Sequence, residues 1–274
     1  MLRKRTSLSS LGGTGFGEDR ATFISVLLAV PHPPPSHPGP PPLPSASIIS
    51  WNANGLRNSA AELAAYLAAR KVKIASIQET KLRPDSRLPY FPDYTAVRCD
   101  RPAGGGGGLV TLIHHSVKFI NVASPINDGT TELVIIKTRK NDSDLKVVNI
   151  YIPPQTSCLP NFHASLLPLL DNDTLIVGDI NGHCDTWSTG NSDARGDAIS
   201  DELDNNNFFI LNDPDAQTRP SSNSSPDISA ASSSIALNFE WYVHCTLNSD
   251  HLPISLCLDD DVPASRPRRS FTNF

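Results

Sequence analysis

The chain has 274 residues, 39% hydrophobic and 19% charged, which is the balance of a globular protein and not of a disordered or fibrous one. At this length it can bury a core without metal or disulfide staples. Twenty-eight acidic against 23 basic side chains leave a net charge of −5, which excludes gripping nucleic acid by bulk positive charge but leaves room for a cationic rim around an acidic site. The cysteines (Cys99, Cys158, Cys184, Cys245 and Cys257) form no CxxC pair and are odd in number. That argues against a secreted disulfide framework and for a reducing compartment, nucleus or cytoplasm.

Residues 1–46 read as a separate, disordered, proline-rich segment. Of the chain's 24 prolines, nine fall between Pro31 and Pro44, where the lack of N–H donors favours extended polyproline II over helix or sheet. A spacer is the plainer reading of this arm, and a ligand for an aromatic groove the sharper one. The apolar run Ala21–Val30 is too short for a bilayer span, which takes roughly 20 residues. Glu18 and Asp19 before it and polyproline after it also fit a signal peptide poorly.

Order is expected from Ser47. Ser47–Asn52 reads as a strand, and Ser59 with Glu62 has capping-box spacing before Leu63 and Leu67, predicting a helix over 60–70. Further strands are expected at 73–78, 109–113, 132–138, 146–152, 174–178 and 253–258, with helices at 161–170 and 197–206. The piece 212–234, rich in Ser, Asn, Asp and Pro, reads as surface loop. The domain is expected to span 47–260, and 261–274 (ending RPRRSFTNF) reads as a basic linker. Strand–helix–strand, then several strands, then strand–helix–strand predicts two packed mixed sheets with helices outside, an α/β sandwich.

Polar residues gather where these strands end: Asn52 after SIISW, Glu79 after IASIQ, Tyr151 closing VVNIY, Asp179 after TLIVG, then Asn181, with Asp250 and His251 before the last strand. Carboxylates, amides and an imidazole delivered to one sheet edge can form a site. Hard oxygen ligands of the Glu79 kind suit Mg²⁺ or Mn²⁺ and not zinc. Taken singly, each of these is also an ordinary strand end or turn.

WNANGL (51–56), IQET (77–80), IYIPP (150–154), GDIN (178–181), SSPDIS (224–229) and SDHLP (249–253) follow one another in the order found in the endonuclease/exonuclease/phosphatase superfamily. The chain most resembles the endonuclease domain of jockey-like non-LTR retrotransposons, over roughly 47–260. The resemblance implies a four-layered α/β sandwich and a Mg²⁺-dependent (or Mn²⁺-dependent) endonuclease that nicks DNA and leaves a 3′-hydroxyl for reverse transcription. It implies Glu79 as metal ligand with Asn52 beside it and Asp250 supporting, and Asp179 as the base that activates water. Asn181 would hold the water or phosphate, His251, oriented by Asp227, would hold a phosphate oxygen, and Tyr151 would point its hydroxyl at the phosphate. The implied partners are DNA and a covalently linked reverse transcriptase, with no membrane. Same-fold alternatives are a phosphatase or phosphodiesterase acting on a small phosphorylated substrate, and an inactive retroelement remnant.

Asn54 stands where related abasic-site endonucleases carry an acid, which removes one possible metal ligand and fits the retroelement branch. In NGHCDTW (181–187), Trp187 reads as core packing and His183 as a hydrogen-bonded structural residue. Arg57, Lys81 and Arg101 are candidate DNA-phosphate contacts, as are Arg83, Arg98 and Arg195. Gly104–Gly108 lacks a following GK[ST], so it reads as a flexible hairpin and not a P-loop. His114–His115, His183–Cys184 and His244–Cys245 are poor metal pairs, because adjacent residues on a strand face opposite ways.

Overall fold

Period-two alternation on strands covered from both sides generates the layering. The structure, a computed structural model, describes residues 47–101, 106–122, 126–127, 129–140, 143–156, 166–244 and 247–258. In β1 (Ile48–Asn52), Ile48 faces the facing sheet while Ile49 and Trp51 face a helix, so the whole strand is buried. Strand β2 (Ile74–Gln78) is likewise buried and runs parallel to β1, Ile48 opposite Ile74 through Asn52 opposite Gln78. Helix α1 (Leu56–Arg70) makes the crossover between them.

Among the described residues, β1 and β2 sit inside a six-stranded sheet completed by β3 (Tyr94–Cys99), β4 (Leu109–His114), β12 (Phe239–Val243) and β13 (Ile254–Leu258). The order is β12-β13-β1-β2-β4-β3. The second sheet runs β10 (Phe208–Ile210), β11 (Asp227–Ser232), β9 (Thr174–Asp179), β8 (Ser143–Tyr151), β7 (Glu132–Lys140), β5 (Phe119–Asn121), with β6 (Ile126–Asn127) also paired to β7. Its parallel pair is β8–β9.

Three apolar layers hold four structural ones. Ile48, Ile74, Ile113, Val134, Val147 and Val177 fill the space between the sheets. Leu56, Leu63 and Leu67 of α1 cover the first sheet's outer face through Trp51, Ala75 and Val110. Ile199 and Leu203 of α2 (Ala194–Asn205) cover the second sheet's outer face with Val148, Ile176 and Trp187. Each fully buried Leu or Ile contributes about 1.5–3 kcal/mol. The result is the expected helix–sheet–sheet–helix sandwich, and Trp187 is core, as its sequence context suggested.

Beneath the edge where β1, β2, β8 and β9 end, the space between the sheets turns polar. Gln78 donates to Ser50 Oγ at 3.2 Å and to Asn149 Oδ1 at 2.8 Å. Asn149 of β8 in turn donates to Thr111 Oγ1 at 3.2 Å and to the carbonyls of Ile77 and Val110 at 3.4 Å. Gln78 Oε1 and Ser76 Oγ are left without a hydrogen-bond partner there. A directional network of this kind fixes how one sheet registers on the other, which apolar contact alone does not.

Several expectations are corrected. Helix α1 begins at Leu56, not 60, because its first N–H groups find carbonyls from the loop after β2: Gly55 N to Glu79 O at 2.9 Å and Leu56 N to Thr80 O at 3.1 Å. Ser59 and Glu62 cap nothing. They hold the backbone of Asn248, Ser59 Oγ donating to its carbonyl and its N–H donating to Glu62, both at 3.1 Å. The supposed loop 212–234 contains β11, a fully buried strand (DISAAS) rich in Ala and Ser that lies against β9. Strands β3, β5, β6, β10 and β12 were also not expected. The glycine run is anchored at Gly107 and Gly108, whose carbonyls accept from Lys81 and Thr80 at 2.9 and 3.0 Å. The first half of the expected helix 161–170 lies outside the described residues, and the second half shows a 3-10 turn at Leu167–Leu169. Segments 1–46 and 261–274 also lie outside them. No helix among the described residues is long and apolar enough to cross a membrane.

His244 is buried beside Tyr66 with neither ring nitrogen hydrogen-bonded. Burial, with Arg70 nearby, lowers its pKa to about 4. A histidine held neutral in the fold but protonated when unfolded stabilises fully above pH ~6.5 and loses that contribution as pH falls toward ~4. His244→Phe should therefore remove on the order of 2 kcal/mol of the acid destabilisation between pH 7 and 4.5. Urea unfolding at the two pH values checks this, and an unchanged difference would refute it.

Candidate active site

Parallel strands deliver their carboxyl ends to one edge, and their antiparallel neighbours begin there. Asn52 ends β1, Glu79 follows β2, Tyr151 ends β8 and Asp179 ends β9. Asp227 starts β11 directly opposite Asp179, and His251 precedes β13, which pairs with β1. The structure thus brings together Asn52, Glu79, Tyr151, Asp179, Asp227 and His251.

The centre is an amide between two carboxylates. Asn52 Nδ2 donates to Asp179 Oδ2 at 2.7 Å and to Glu79 Oε1 at 3.2 Å, and Tyr151 donates its hydroxyl to the same Glu79 oxygen at 2.9 Å. Burial and the charges of Glu79 and Asp179 push the Tyr151 phenol far up, so it stays a donor. Asp179 is 1% exposed. Burial first, then the Asp227 charge, pushes its carboxyl well above the usual carboxylate range. Its second oxygen accepts from the backbone N–H of Asn181 at 2.9 Å.

Beside it stands an oriented imidazole. His251 Nδ1 lies 2.8 Å from Asp227 Oδ2, and its Nε2 lies 4.0 Å from Asp179 Oδ2. Burial alone would lower the His251 pKa, but the Asp227 charge and hydrogen bond raise it to about 9, with help from Asp179 and Asp250. Thr218 donates to Asp227 Oδ2 at 2.6 Å, Asn212 to the Asp227 carbonyl at 2.9 Å, and Trp51 Nε1 to the His251 carbonyl at 3.1 Å.

Asp179, Asp227 and His251 offer atoms that all lie within 4.8 Å of one another. Asp227 Oδ2 is already shared by Thr218 and His251, so that pair orients the imidazole and leaves little for an ion. The better cation position is the carboxylate pair of Glu79 and Asp179: hard oxygens, one almost wholly buried, with no cationic side chain among the described residues closer to Asp179 than the imidazole. The donor set therefore fits a hard divalent ion.

Three sequence assignments change. Asn52 accepts the N–H of Asn54 on its side-chain oxygen at 3.0 Å and turns its nitrogen to the carboxylates, so it bridges them. Asp250, expected to support the metal, accepts from Arg219 at 2.8 and 3.0 Å and from Asn54 at 2.9 Å. Burial would raise its carboxyl, but His251, Arg219 and Asn54 hold it low. Arg101, expected on DNA, is bound to the buried Glu132 and lies 5.7 Å over the Tyr151 ring.

Other cations also turn inward. Arg195 donates to the carbonyls of Ile180, Asn181, Pro154 and Thr156, clamping the turn that carries Asn181. Arg98 binds Asp100 and the carbonyls of Ser86 and Arg83. Arg57 and Lys81 stay exposed at the rim, Arg57 holding the Arg87 carbonyl and Lys81 lying 3.5 Å from Glu79 Oε2 and bonded to Asn54. Asn181 donates its side-chain N–H to the Ile152 carbonyl at 3.0 Å. His183 is hydrogen-bonded to Asp193 at 3.0 Å, the structural part its sequence suggested. Thr218, Asn212, Arg219 and Glu132 were not foreseen, since none sits in a motif and each acts across a fold contact.

The model of the family described as endonuclease-reverse transcriptase matches residues 145–255. The endonuclease domain of TRAS1, a telomere-specific non-LTR retrotransposon, superposes with a TM-score of 0.65 at 20% identity, over 77% of this chain and 96% of that one. The AP endonuclease LMAP from Leishmania major gives 0.57 at 16%, over 76% and 86%. In fold, and over the segment that the family model matches, the chain is similar to proteins of the endonuclease/exonuclease/phosphatase kind. Its similar sequences are retroelement proteins. The RNA-directed DNA polymerase from mobile element jockey of Drosophila melanogaster is 24% identical over 239 residues, 82% of this chain and 25% of that protein. That from transposon X-element of the same fly, a probable one, is 22% identical over 218 residues, 77% and 24%. The chain spans about a quarter of the length of these curated relatives.

Asp227→Asn should keep the hydrogen bond and remove the charge. The His251 pKa should then fall by on the order of 2 units toward the usual histidine value. An NMR titration of the imidazole measures this, and a pKa still near 9 would show that Asp227 does not set it.

Proposed function

We propose that the domain is a Mg²⁺- or Mn²⁺-dependent DNA endonuclease that hydrolyses a phosphodiester, nicks one strand and leaves a 3′-hydroxyl. The observation that carries this reading is a raised carboxylate, Asp179, meeting an Asp227-oriented imidazolium, His251, beside Glu79. Hydrolysis of an anionic diester needs a proton acceptor for water, a donor for the oxygen that gains charge, and neutralisation of the phosphate.

Asp179 takes the proton from water. Asn52 and the Asn181 N–H fix its two oxygens for that task. The side-chain carbonyl of Asn181 orients the water. His251, protonated at neutral pH and held by Asp227 and Thr218, turns Nε2–H to the phosphoryl oxygen on which charge develops. Tyr151 and Asn52 hold Glu79 in place. Glu79 and Asp179 would hold a divalent ion, which would supply charge neutralisation of the phosphate. Arg57 and Lys81 supply the cationic rim for the DNA backbone.

The DNA substrate is supported by the retroelement character of the relatives. In the longer polyproteins a covalently linked reverse transcriptase would extend the 3′-hydroxyl. That partner, and action in the nucleus or cytoplasm, belong to the same proposal.

Supercoiled plasmid incubated with the protein should convert to open circles in Mg²⁺ and stay intact in EDTA. Glu79→Ala and His251→Ala should each slow nicking by about 10²–10⁴-fold. Nicking should also weaken steeply with added salt, whereas hydrolysis of a small phosphorylated substrate should not. Intact plasmid from folded wild-type protein would overturn the reading in favour of a remnant, and salt-insensitive activity on a small phosphate ester would favour the phosphatase alternative.

A further inference from the structure

We propose that Glu132, which touches none of the reacting groups, is a positioning residue for Glu79. The inference rests on reading Glu79 as the carboxylate that faces a divalent ion. Glu132 opens β7, lies opposite Tyr151 in the β7–β8 ladder and is 1% exposed. A carboxylate so deep is costly unless its oxygens are met, and both are. Arg101 Nε binds Oε1, and the Gly108 N–H donates to Oε2 at 2.6 Å.

Each of these partners leads to Glu79. Gly107 and Gly108 hold φ of +97° and +86°, and a Cβ would come within 2.6 Å of Glu132 Oε1 at Gly107 and 2.8 Å of Thr80 Oγ1 at Gly108. The turn that wraps Glu132 therefore requires glycine at both positions. Its two carbonyls accept from Thr80 and Lys81, the residues that follow Glu79. Glu79 and Lys81 sit at φ of +45° and +53°, a left-handed conformation that side chains of this kind hold only where the surroundings impose it. The second route runs through Arg101, whose guanidinium covers the Tyr151 ring, to the Tyr151 hydroxyl on Glu79 Oε1. One buried carboxylate thus fixes both the backbone and one carboxylate oxygen of Glu79.

Mn²⁺ binding to the full chain without DNA, followed by the EPR signal of the free ion, tests the assignment apart from nuclease activity. Glu132→Gln keeps the shape and loses the charge. The pair Arg101→Leu with Glu132→Leu removes both charges and avoids leaving one buried alone. Both should stay folded by circular dichroism yet weaken Mn²⁺ binding about tenfold or more, with Tyr151→Phe, which cuts one route, losing less. Unchanged Mn²⁺ affinity in the folded variants would overturn the assignment. So would failure of both to fold, which would make Glu132 a folding residue only. A wild-type chain that binds no Mn²⁺ would remove its premise, whereas Mn²⁺ binding without nicking would count against the proposed activity alone.

Discussion

One side-chain amide holds two carboxylates that would otherwise repel each other out of the site. Glu79 comes from the first sheet and Asp179 from the second, and Asn52 Nδ2 touches both. Two unit charges about 5 Å apart repel by roughly 3 kcal/mol at an effective dielectric near 20, and burial adds to that cost. The rest of the domain can be understood as what keeps this pair together. The polar seam of Gln78 and Asn149 locks one sheet on the other just beneath it, so the two carboxylates cannot slide apart.

The strands deliver residues to this edge, but the loops aim them. Asn54, Glu79, Lys81 and Asn181 all hold positive φ immediately after strand ends. That conformation turns the chain back sharply, which lets a residue beyond the last ladder pair point into the site. Asparagine adopts it at modest cost, glutamate and lysine at more, about 1–2 kcal/mol each. The offsetting contacts are visible: α1 gives its first N–H groups to the carbonyls of Glu79 and Thr80, and the glycine turn grips Thr80 and Lys81 from the other side.

Division of labour follows from burial. Asp227 and His251 form a buried dyad in which Asp227 Oδ2 holds the imidazole by Nδ1 and leaves Nε2 to face the site, while Lys81 and Arg57 remain exposed. Half of the cations that the sequence offers to a DNA surface are spent inside: Arg195 on four carbonyls, Arg98 on the loop after β2, Arg101 on Glu132. This agrees with the net charge of −5, which leaves contact with any anionic partner to a few placed side chains.

By itself the sequence determined the layers and which polar residues meet at one sheet edge. Apolar runs such as IIS and TLIV can only be buried strands, and polar groups placed directly after them must emerge at a sheet edge, so Asn52, Glu79, Tyr151, Asp179 and His251 were legible from local pattern and motif order. It misled where local chemistry was ambiguous. β11 is mostly Ala and Ser in a stretch full of turn formers, and nothing local reveals that it lies against β9 with Asp227 facing Asp179. Ser59 and Glu62 have the spacing of a cap but hold Asn248 instead, because the helix already had carbonyls to start on. Only the tertiary structure decided which oxygens are free. That Asp250 belongs to Arg219, that Arg101 belongs to Glu132, and that Asn52 bridges two carboxylates depends on groups far apart in the chain. Hydrogen bonds of that kind are set by how the sheets stack, and no residue's own neighbours in sequence encode them.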